Sequence, residues 1–241
     1  MRKNNRKLTE KREFNLSPNY IVNADGSVLA SMGNTRVICT ATIEDSVPRF
    51  LKNSNTGWLT AEYAMIPAST NTRKRREIKS GKQDGRGKEI ERIIGRSLRT
   101  AIDFSTLGEY TITLDCDVID ADGGTRTTAI NGSWVATALA LKNLAKETGL
   151  DSFNNVLIHQ IGAISAGIKK GDIYIDLDYE EDSSIDADCN IVINENKDIV
   201  DIQATSEQKS FSNDLLNKLI ELSTESIEEI FVIQKQILEE K

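Results

Sequence analysis

Residues 114–136 read LDCDVIDADGGTRTTAINGSWVA, and this stretch joins a predicted strand to a predicted helix through two adjacent glycines. The alternating, β-branched residues of 110–120 predict the strand, and the mostly apolar run 126–147 predicts a deeply buried helix. The whole chain reads in the order strands, helix, strand, helix, strands, helix. Because strands and helices do not alternate regularly, this order predicts an α+β or mixed α/β fold, with mixed sheets packed with helices, rather than a doubly wound sheet.

Other elements follow from the same patterns on both sides of this junction. Alternation of apolar and polar residues predicts strands at 35–45 and 58–66, and apolar residues at helical spacing predict a helix over 86–104. The polar, basic stretch 67–85 has no apolar periodicity, which predicts a long loop. After the central helix, strands are predicted in NVLIHQIGAISAGI, DIYIDLDY, CNIVINE and DIVDIQAT.

The C-terminal residues predict one or two amphipathic helices, with Ser212 as the N-cap. Polar, turn-forming residues cluster at 146–155. This cluster predicts that residues 1–241 form one domain with two lobes, an N-terminal lobe of about 10–145 and a C-terminal lobe of about 155–241.

Charge is distributed unevenly along the 241 residues, whose net charge is −7. The segment 73–99 holds eleven basic and four acidic residues, whereas 172–188 holds eight acidic residues and no basic one. This pattern predicts a polyanion site and a place that holds a cation, although two solvated faces would give the same pattern. The basic N-terminus has no apolar segment behind it, and no stretch approaches the length of a membrane span. We therefore expect a cytoplasmic protein with no membrane partner.

The glycine junction has the composition of an anion site. Gly123 and Gly124 permit a positive φ and a close approach of the main chain to a ligand, and the next helix presents free N–H groups and the positive end of its dipole. Thr125 adds a hydroxyl donor, and Arg126 adds a fork that matches phosphate oxygens. Arg86 also stands at a predicted helix start, so the two arginines would share one tetrahedral anion if these starts meet. A simple turn with a helix cap is the alternative.

A pair of carboxylates in the acidic segment is the candidate metal site. Asp182 and Asp188 are six residues apart, which places both side chains on one face if the chain between them is extended. Paired carboxylates hold hard cations such as Mg²⁺ or Mn²⁺, and an exposed acidic turn is the alternative. The single histidine, His159, lies in an apolar run and is interpreted as a structural strand residue. A catalytic triad or a histidine zinc site is therefore not indicated.

Five segments together resemble the ribonuclease PH family, in particular its bacterial members. The segments are GNTRVICTA (33–41), GWLTAEYAMIP (57–67), GRGKEIERIIGRSLR (85–99), LDCDVIDADGGTRTTAINGSWVA (114–136) and DLDYEEDSSIDADCNIV (176–192). The resemblance runs in order from about residue 10 to the C-terminus. It implies a ribosomal protein S5 domain 2-like fold and a homohexameric ring built as a trimer of dimers.

The resemblance also implies an activity. Members of this family are phosphate-dependent 3′-to-5′ exoribonucleases, or tRNA nucleotidyltransferases, that remove nucleotides beyond the CCA end of tRNA precursors and trim other structured RNA such as rRNA. Inorganic phosphate is the nucleophile, Mg²⁺ or Mn²⁺ assists, and nucleoside diphosphates are released. The reverse reaction adds nucleotides to RNA 3′ ends. The alternatives are a non-catalytic RNA-binding subunit of an exosome-like ring and a metal-dependent hydrolytic nuclease.

By the same resemblance, individual residues receive expected roles. The residues expected to bind phosphate are Arg86, Gly124, Thr125 and Arg126. The residues expected to bind metal and to be catalytic are Asp182 and Asp188, and Arg126 is also expected to be catalytic. The residues expected to bind RNA are Arg73, Arg75, Arg76, Arg96 and Arg99. One departure is Ala204, which stands where the family usually carries glycine and is expected to alter a turn slightly.

Overall fold

One mixed sheet, one antiparallel sheet and five helices make up the described part of the chain, which comprises residue 2 and residues 5–76, 84–207 and 209–239 of a computed structural model. The strands are β1 (Phe14–Pro18), β2 (Gly26–Met32), β3 (Thr35–Glu44), β4 (Trp58–Met65), β5 (Thr111–Asp120), β6 (Ile161–Lys169), β7 (Asp172–Ile175), β8 (Ala187–Asn194) and β9 (Ile199–Ser206). The helices are α1 (Gly85–Arg99), α2 (Phe104–Leu107), α3 (Thr125–Thr148), α4 (Tyr179–Asp182) and α5 (Asn213–Glu239), with 3-10 turns at Arg49–Leu51 and Asp151–Asn155. The predicted α+β class is confirmed.

The first sheet contains five strands in the order β1-β2-β3-β5-β4. Its neighbouring strands are antiparallel except for β4 and β5, which are parallel. A parallel pair needs a crossover connection, and the chain supplies it with α1 and α2, which both lie between these strands in sequence. The strands predicted at 35–45, 58–66 and 110–120 are confirmed as β3, β4 and β5.

The second sheet contains four antiparallel strands in the order β7-β6-β8-β9. Strand β6 is buried at every residue except Lys169, because both α3 and α5 pack against it. Each of the four strand segments predicted after the central helix overlaps one of these strands. The C-terminal region forms the single helix α5, and Ser212 caps it as predicted, since its Oγ accepts the N–H of Leu215 at 3.3 Å.

Helix α3 lies between the two sheets and fixes their relative position. It packs on β2 and β3 of the first sheet and on β6 of the second, which explains why its sequence is apolar nearly all round. A side chain at Gly132 would meet Cys39 Sγ at 2.7 Å, so the absence of one lets the helix approach β3 closely. On the other side, the buried Asn131 amide donates to the Ala163 carbonyl of β6 at 2.9 Å. The N-terminus of α3 is thereby held at the junction of the two sheets.

Two predicted boundaries were wrong. The helix predicted over 86–104 ends at Arg99, because Asp103 caps the separate short helix α2 by accepting the N–H of Ser105 at 3.0 Å. His159 precedes β6 instead of lying within it, and its Nδ1 is 3.0 Å from Glu195 Oε1.

Residues 67–76 of the predicted loop contain neither helix nor strand, and 77–83 lie outside the described residues. The division into lobes at 146–155 stays a prediction. Within the described ranges, no helix combines the length and the apolar character that crossing a membrane requires.

Candidate active site

A cleft of about 880 Å³ opens where the N-termini of α1 and α3 face α4 and β8. Its walls therefore come from both halves of the chain. All of the residues predicted to bind phosphate or metal line this cleft, namely Arg86, Gly124, Thr125, Arg126, Asp182 and Asp188. The structure thus brings together side chains that are far apart in sequence, and their chemical roles stay predictions.

The turn before α3 is built from two glycines in the left-handed region. Gly123 has φ 77° and Gly124 has φ 65°, a conformation that side chains rarely adopt. A Cβ on Gly123 would also overlap the carbonyl oxygen of Leu177. The turn presses against the segment that leads into α4, and the N–H groups of the first turn of α3, which have no partner within the helix, end at the cleft. This arrangement is suited to an anion.

Two arginines, one at the start of each helix, converge on the cleft. Arg86 is the second residue of α1, and Arg126 is the second residue of α3. Burial raises the pKa of both Asp182 and Tyr63, and the positive charges of both arginines oppose these shifts, which places both guanidinium groups near these side chains. The Arg126 guanidinium donates to Gln203 Oε1 on β9 at 3.0 Å. The two helix starts therefore meet at one cleft, and the sharing of one anion by the two arginines stays a prediction.

Tyr63 contacts the first residue of α3, Thr125, and the sequence reasoning missed it. Its side chain is buried, and its hydroxyl donates to Thr125 Oγ1 at 2.8 Å. Burial raises the pKa of Tyr63 above its ordinary value despite the hydrogen bond to Thr125 and the nearby arginines. The phenol is therefore neutral and remains a donor, which leaves the proton of the Thr125 hydroxyl available to a ligand. A buried tyrosine on strand β4 needs a hydrogen-bond partner, and this was the available signal.

The two aspartates meet in the cleft by a route that differs from the predicted one. Asp182 ends the short helix α4, whereas Asp188 lies in β8, so the chain between them is folded and the extended-chain assumption was wrong. The carboxylates are nevertheless close. Burial raises the pKa of Asp182 above its ordinary value, and the negative charge of Asp188 raises it further, while Arg86 and Arg126 oppose the shift.

The donor set of this pair fits a hard divalent cation. Mg²⁺ is commonly held by one or two carboxylates, with water and substrate phosphates completing its shell. The mutual repulsion of Asp182 and Asp188 would be relieved by a bound cation. Over the described ranges, no cluster of three or more His, Cys, Asp or Glu side chains is arranged to hold a metal, so water and substrate would have to supply the remaining ligands.

The predicted RNA-binding arginines lie outside the cleft. Arg73, Arg75 and Arg76 are exposed on the segment after β4, close in sequence to Lys74, which lines the cleft. Their role in RNA binding stays a prediction.

The other two predicted RNA-binding residues belong to the last turn of α1. The Arg96 side chain is exposed and lies 3.8 Å from Asp201. Arg99 packs over the Trp58 ring, 4.4 Å from its centroid, and donates to the Leu59 carbonyl at 2.9 Å. Arg99 therefore anchors α1 to β4 in addition to any contact it makes with RNA.

Arginines near the N-terminus hold the acidic segment together, a feature that sequence reasoning missed. Asp176 is only 1% exposed, yet its carboxylate accepts hydrogen bonds from Arg6 at 2.9 Å and from Arg12 at 2.7 Å. Glu181, next to Asp182, accepts from Arg2 at 2.6 Å. The signal in the sequence was the acidic segment 172–188 itself. Buried carboxylates require cationic partners, and because this segment contains no basic residue, the partners had to come from elsewhere in the chain.

Comparisons with known proteins agree with this architecture. The sequence model of the RNase PH group described as "3′ exoribonuclease family, domain 1" matches residues 10–143, and the one described as "3′ exoribonuclease family, domain 2" matches residues 159–226. The two matches together extend over most of the chain, and they agree with the expected S5 domain 2-like fold.

Solved structures with a similar fold include rice (Oryza sativa) Rrp46, at 18% identity and a TM-score of 0.78, with 99% of this chain and 100% of that chain covered. An Archaeoglobus fulgidus exosome with RNA bound to the active site shows 20% identity and a TM-score of 0.78, over 95% of this chain and 91% of that one. An archaeal exosome core shows 18% identity and a TM-score of 0.72, with 95% of this chain and 89% of that chain covered. At these identities the likeness is one of fold.

Proposed function

The chain belongs to the 3′ exoribonuclease family, and on that premise we propose that it is a phosphorolytic enzyme that shortens RNA from the 3′ end. Inorganic phosphate is the nucleophile, and nucleoside diphosphates are the products. The observation that carries the proposal is the convergence of Arg86, Arg126 and the N-terminus of α3 with two carboxylates in one cleft. A hydrolytic nuclease uses water as the nucleophile and needs no site for a free phosphate ion.

In this proposal, orthophosphate binds between the two arginines and the N–H groups that follow Gly124. The Thr125 hydroxyl, held from behind by Tyr63, donates to one of its oxygens. Another phosphate oxygen attacks the phosphorus of the last phosphodiester in line, and the bond from that phosphorus to the 3′ oxygen of the preceding nucleotide breaks. The departing oxygen takes up a proton, which leaves a shortened RNA with a free 3′ hydroxyl.

The arginines act mainly by electrostatics. Negative charge gathers on the equatorial oxygens of the transition state, and donors fixed in advance stabilise this charge without reorganising. Because phosphate is already an anion, the reaction requires no strong general base, in keeping with a cleft that contains no histidine among its lining residues. Asp182 and Asp188 would hold Mg²⁺ or Mn²⁺, which supplies Lewis-acid stabilisation of the same charge.

The proposed substrates are the 3′ extensions of tRNA precursors and the ends of other structured RNA such as rRNA. The exposed arginines at 73, 75 and 76 support this, because a folded RNA body must be held outside a cleft that admits only its 3′ end. The reverse reaction, addition of nucleotides to RNA 3′ ends, follows from the same site by microscopic reversibility. Free, buried Cys39, Cys116 and Cys189 suit a reducing, cytoplasmic location.

We further propose that the active form is a homohexameric ring, a trimer of dimers. Two of the structures with a similar fold are archaeal exosomes, and a ring would set the basic segments of several chains around the RNA. Native mass spectrometry tests this, with six chain masses as the expected result. A monomer at micromolar concentration would contradict it.

A non-catalytic RNA-binding subunit of an exosome-like ring is the second candidate, favoured by the likeness in fold to exosome structures. One assay separates the candidates. The protein is incubated with 3′-extended RNA and Mg²⁺, with and without inorganic phosphate. We expect nucleoside diphosphates only when phosphate is present. Nucleoside monophosphates would indicate hydrolysis, and binding of RNA with no product would indicate the non-catalytic subunit.

A further inference from the structure

Arg12 lies between the two halves of the candidate site and bonds to both. Its Nε and one terminal nitrogen donate to the two carboxylate oxygens of Asp176, each at 2.7 Å. The same guanidinium donates to the main-chain oxygen of Asp122, and more weakly to that of Gly123 at 3.4 Å. It also donates to the Leu177 carbonyl at 3.1 Å. One side chain therefore ties the glycine turn to the segment that carries Asp182.

The surroundings of Arg12 leave it little freedom. A side chain at Gly33 would meet Arg12 Cδ at 2.5 Å, so the stem of the arginine is packed against the β2–β3 turn. From that turn, Thr35 Oγ1 also donates to the Gly123 carbonyl at 2.6 Å. Asp176, the carboxylate that Arg12 grips, holds a left-handed φ of 56° that a non-glycine residue adopts only when its surroundings impose it.

All three guanidinium nitrogens of Arg12 donate to protein oxygens, and Arg12 is not among the residues that line the cleft. It is thus not placed to touch a substrate. We propose that Arg12 is a positioning residue that holds the Gly123–Gly124 turn in register with the acidic segment, and so sets the shape of the phosphate site. This inference rests on the proposed phosphorolysis and adds a residue from outside the cleft to it.

Arg6 provides a matched comparison within the same cluster. It also bonds to the Asp176 carboxylate, at 2.9 Å, and it reaches Glu181 at 3.1 Å. Among the described residues, its hydrogen bonds run to the acidic segment alone and not to the glycine turn. Replacing Arg6 and replacing Arg12 therefore remove the same charge from the same carboxylate, but only the second change releases the turn.

The test compares wild type with Arg12→Ala, Arg12→Lys and Arg6→Ala. The first readout is the KM for inorganic phosphate in phosphorolysis of a 3′-extended RNA. The second is the rise in Tm that inorganic phosphate produces. We expect Arg12→Ala to raise this KM by roughly tenfold or more, since small displacements of binding groups carry large kinetic costs, and to lose most of the Tm rise. Arg6→Ala should keep both within about twofold of wild type, while Arg12→Lys, which lacks the bidentate fork, should resemble Arg12→Ala.

Equal effects of Arg12→Ala and Arg6→Ala on both readouts would overturn the proposal, because Arg12 would then serve stability alone. If Arg12→Ala does not fold, Arg12→Lys against Arg6→Ala decides in the same way. A wild type that fails to phosphorolyse RNA but is stabilised by phosphate would overturn the proposed function, and the Tm comparison would still judge Arg12. No effect of phosphate on the wild type in either readout would overturn both.

Discussion

At the scale of single residues, the proposed phosphate site depends on residue types that few others can replace. Gly123 is required by its φ of 77° and by its close approach to Leu177. Arg126 follows at the start of the buried helix, with its charge directed at the cleft. These features were predictable because a glycine pair and an arginine at a helix start form a local pattern. The role of Tyr63 was not predictable, since its hydrogen-bond partner Thr125 is 62 residues away in the sequence.

Arg126→Ala is expected to lower kcat/KM for phosphorolysis by roughly 10²–10³, the usual effect of removing one preorganised donor. RNA affinity should change little, because the exposed basic segment remains. Steady-state kinetics and a binding titration measure the two quantities. Arg36→Ala, which removes an equal charge from an exposed pair with Asp120, is the control. Retention of most phosphate-dependent activity by Arg126→Ala would show that the site is wrongly assigned.

Asp182→Asn is expected to behave as a metal-site variant. Activity at low Mg²⁺ should fall by about 10² or more, and raising Mg²⁺ or Mn²⁺ should restore part of it, because Asp188 retains one carboxylate for the ion. The measurement is activity as a function of metal concentration. Asp172→Asn changes the same charge on an exposed strand residue and should leave the curve unmoved. An unaltered metal dependence in Asp182→Asn would exclude this carboxylate as a ligand.

At the scale of elements, the local periodicity of apolar residues predicted most strands and helices. Contacts between residues far apart in the sequence explain the errors in the predicted elements. The spacing of Ile90, Ile94 and Leu98 identified the buried face of α1. That helix ends at Arg99 because Asp103 caps a new helix. The apolar periodicity alone predicted a longer helix and could not reveal this cap. Likewise, the meeting of Asp182 with Asp188 depends on a fold of the chain that a spacing rule cannot express.

Replacing Arg73, Arg75 and Arg76 with Ala should weaken RNA binding and reduce its salt dependence. Removing one arginine–phosphate interaction should lower the magnitude of the slope of log K against log[salt] by roughly 0.7–0.9. Titrations at several salt concentrations measure it. A control triple, Lys52, Lys146 and Lys218 to Ala, removes the same charge from exposed positions outside the cleft. An equal slope change in both triples would assign the effect to net charge alone.

Glu181→Gln should reduce stability at neutral pH and make it less sensitive to acid. Burial acts to raise the Glu181 pKa, but hydrogen bonds from Arg2 and the Asp178 N–H, with the charges of Arg2 and Arg6, hold it below its ordinary value. A lowered folded-state pKa means that the wild-type advantage is complete above the ordinary glutamate pKa of about 4.3. That advantage disappears as pH falls through the folded value.

We expect a difference of about 1 kcal/mol at pH 7, at the low end for a charged hydrogen bond because the group is partly solvated. Urea unfolding between about pH 3 and about pH 7, a range that includes the ordinary glutamate pKa, measures this difference. Glu225→Gln, on the exposed face of α5, is the control. A stability difference that persists unchanged into acid would show that the ion pairs with Glu181 are not its source.

At the scale of the whole molecule, the candidate site exists because α3 is clamped between two sheets. The match to domain 1 of the family contains the residues proposed to bind phosphate, and the match to domain 2 contains the pair Asp182 and Asp188. Neither half of the chain holds a complete site. The residues in each half of the candidate site were predicted from the sequence. The distance between the two halves of the site, however, is set by α3, by the Asn131–Ala163 hydrogen bonds and by Arg12.

The most direct test of phosphate as the attacking group follows the fate of labelled inorganic phosphate. Wild-type protein is incubated with unlabelled 3′-extended RNA, Mg²⁺ and ³²P-orthophosphate, and the released nucleotides are separated. We expect label in nucleoside diphosphates, located only in the β-phosphate, and roughly 10²–10³-fold slower labelling after Arg86→Ala or Arg126→Ala. Release of unlabelled nucleoside monophosphates by the wild type would contradict this expectation.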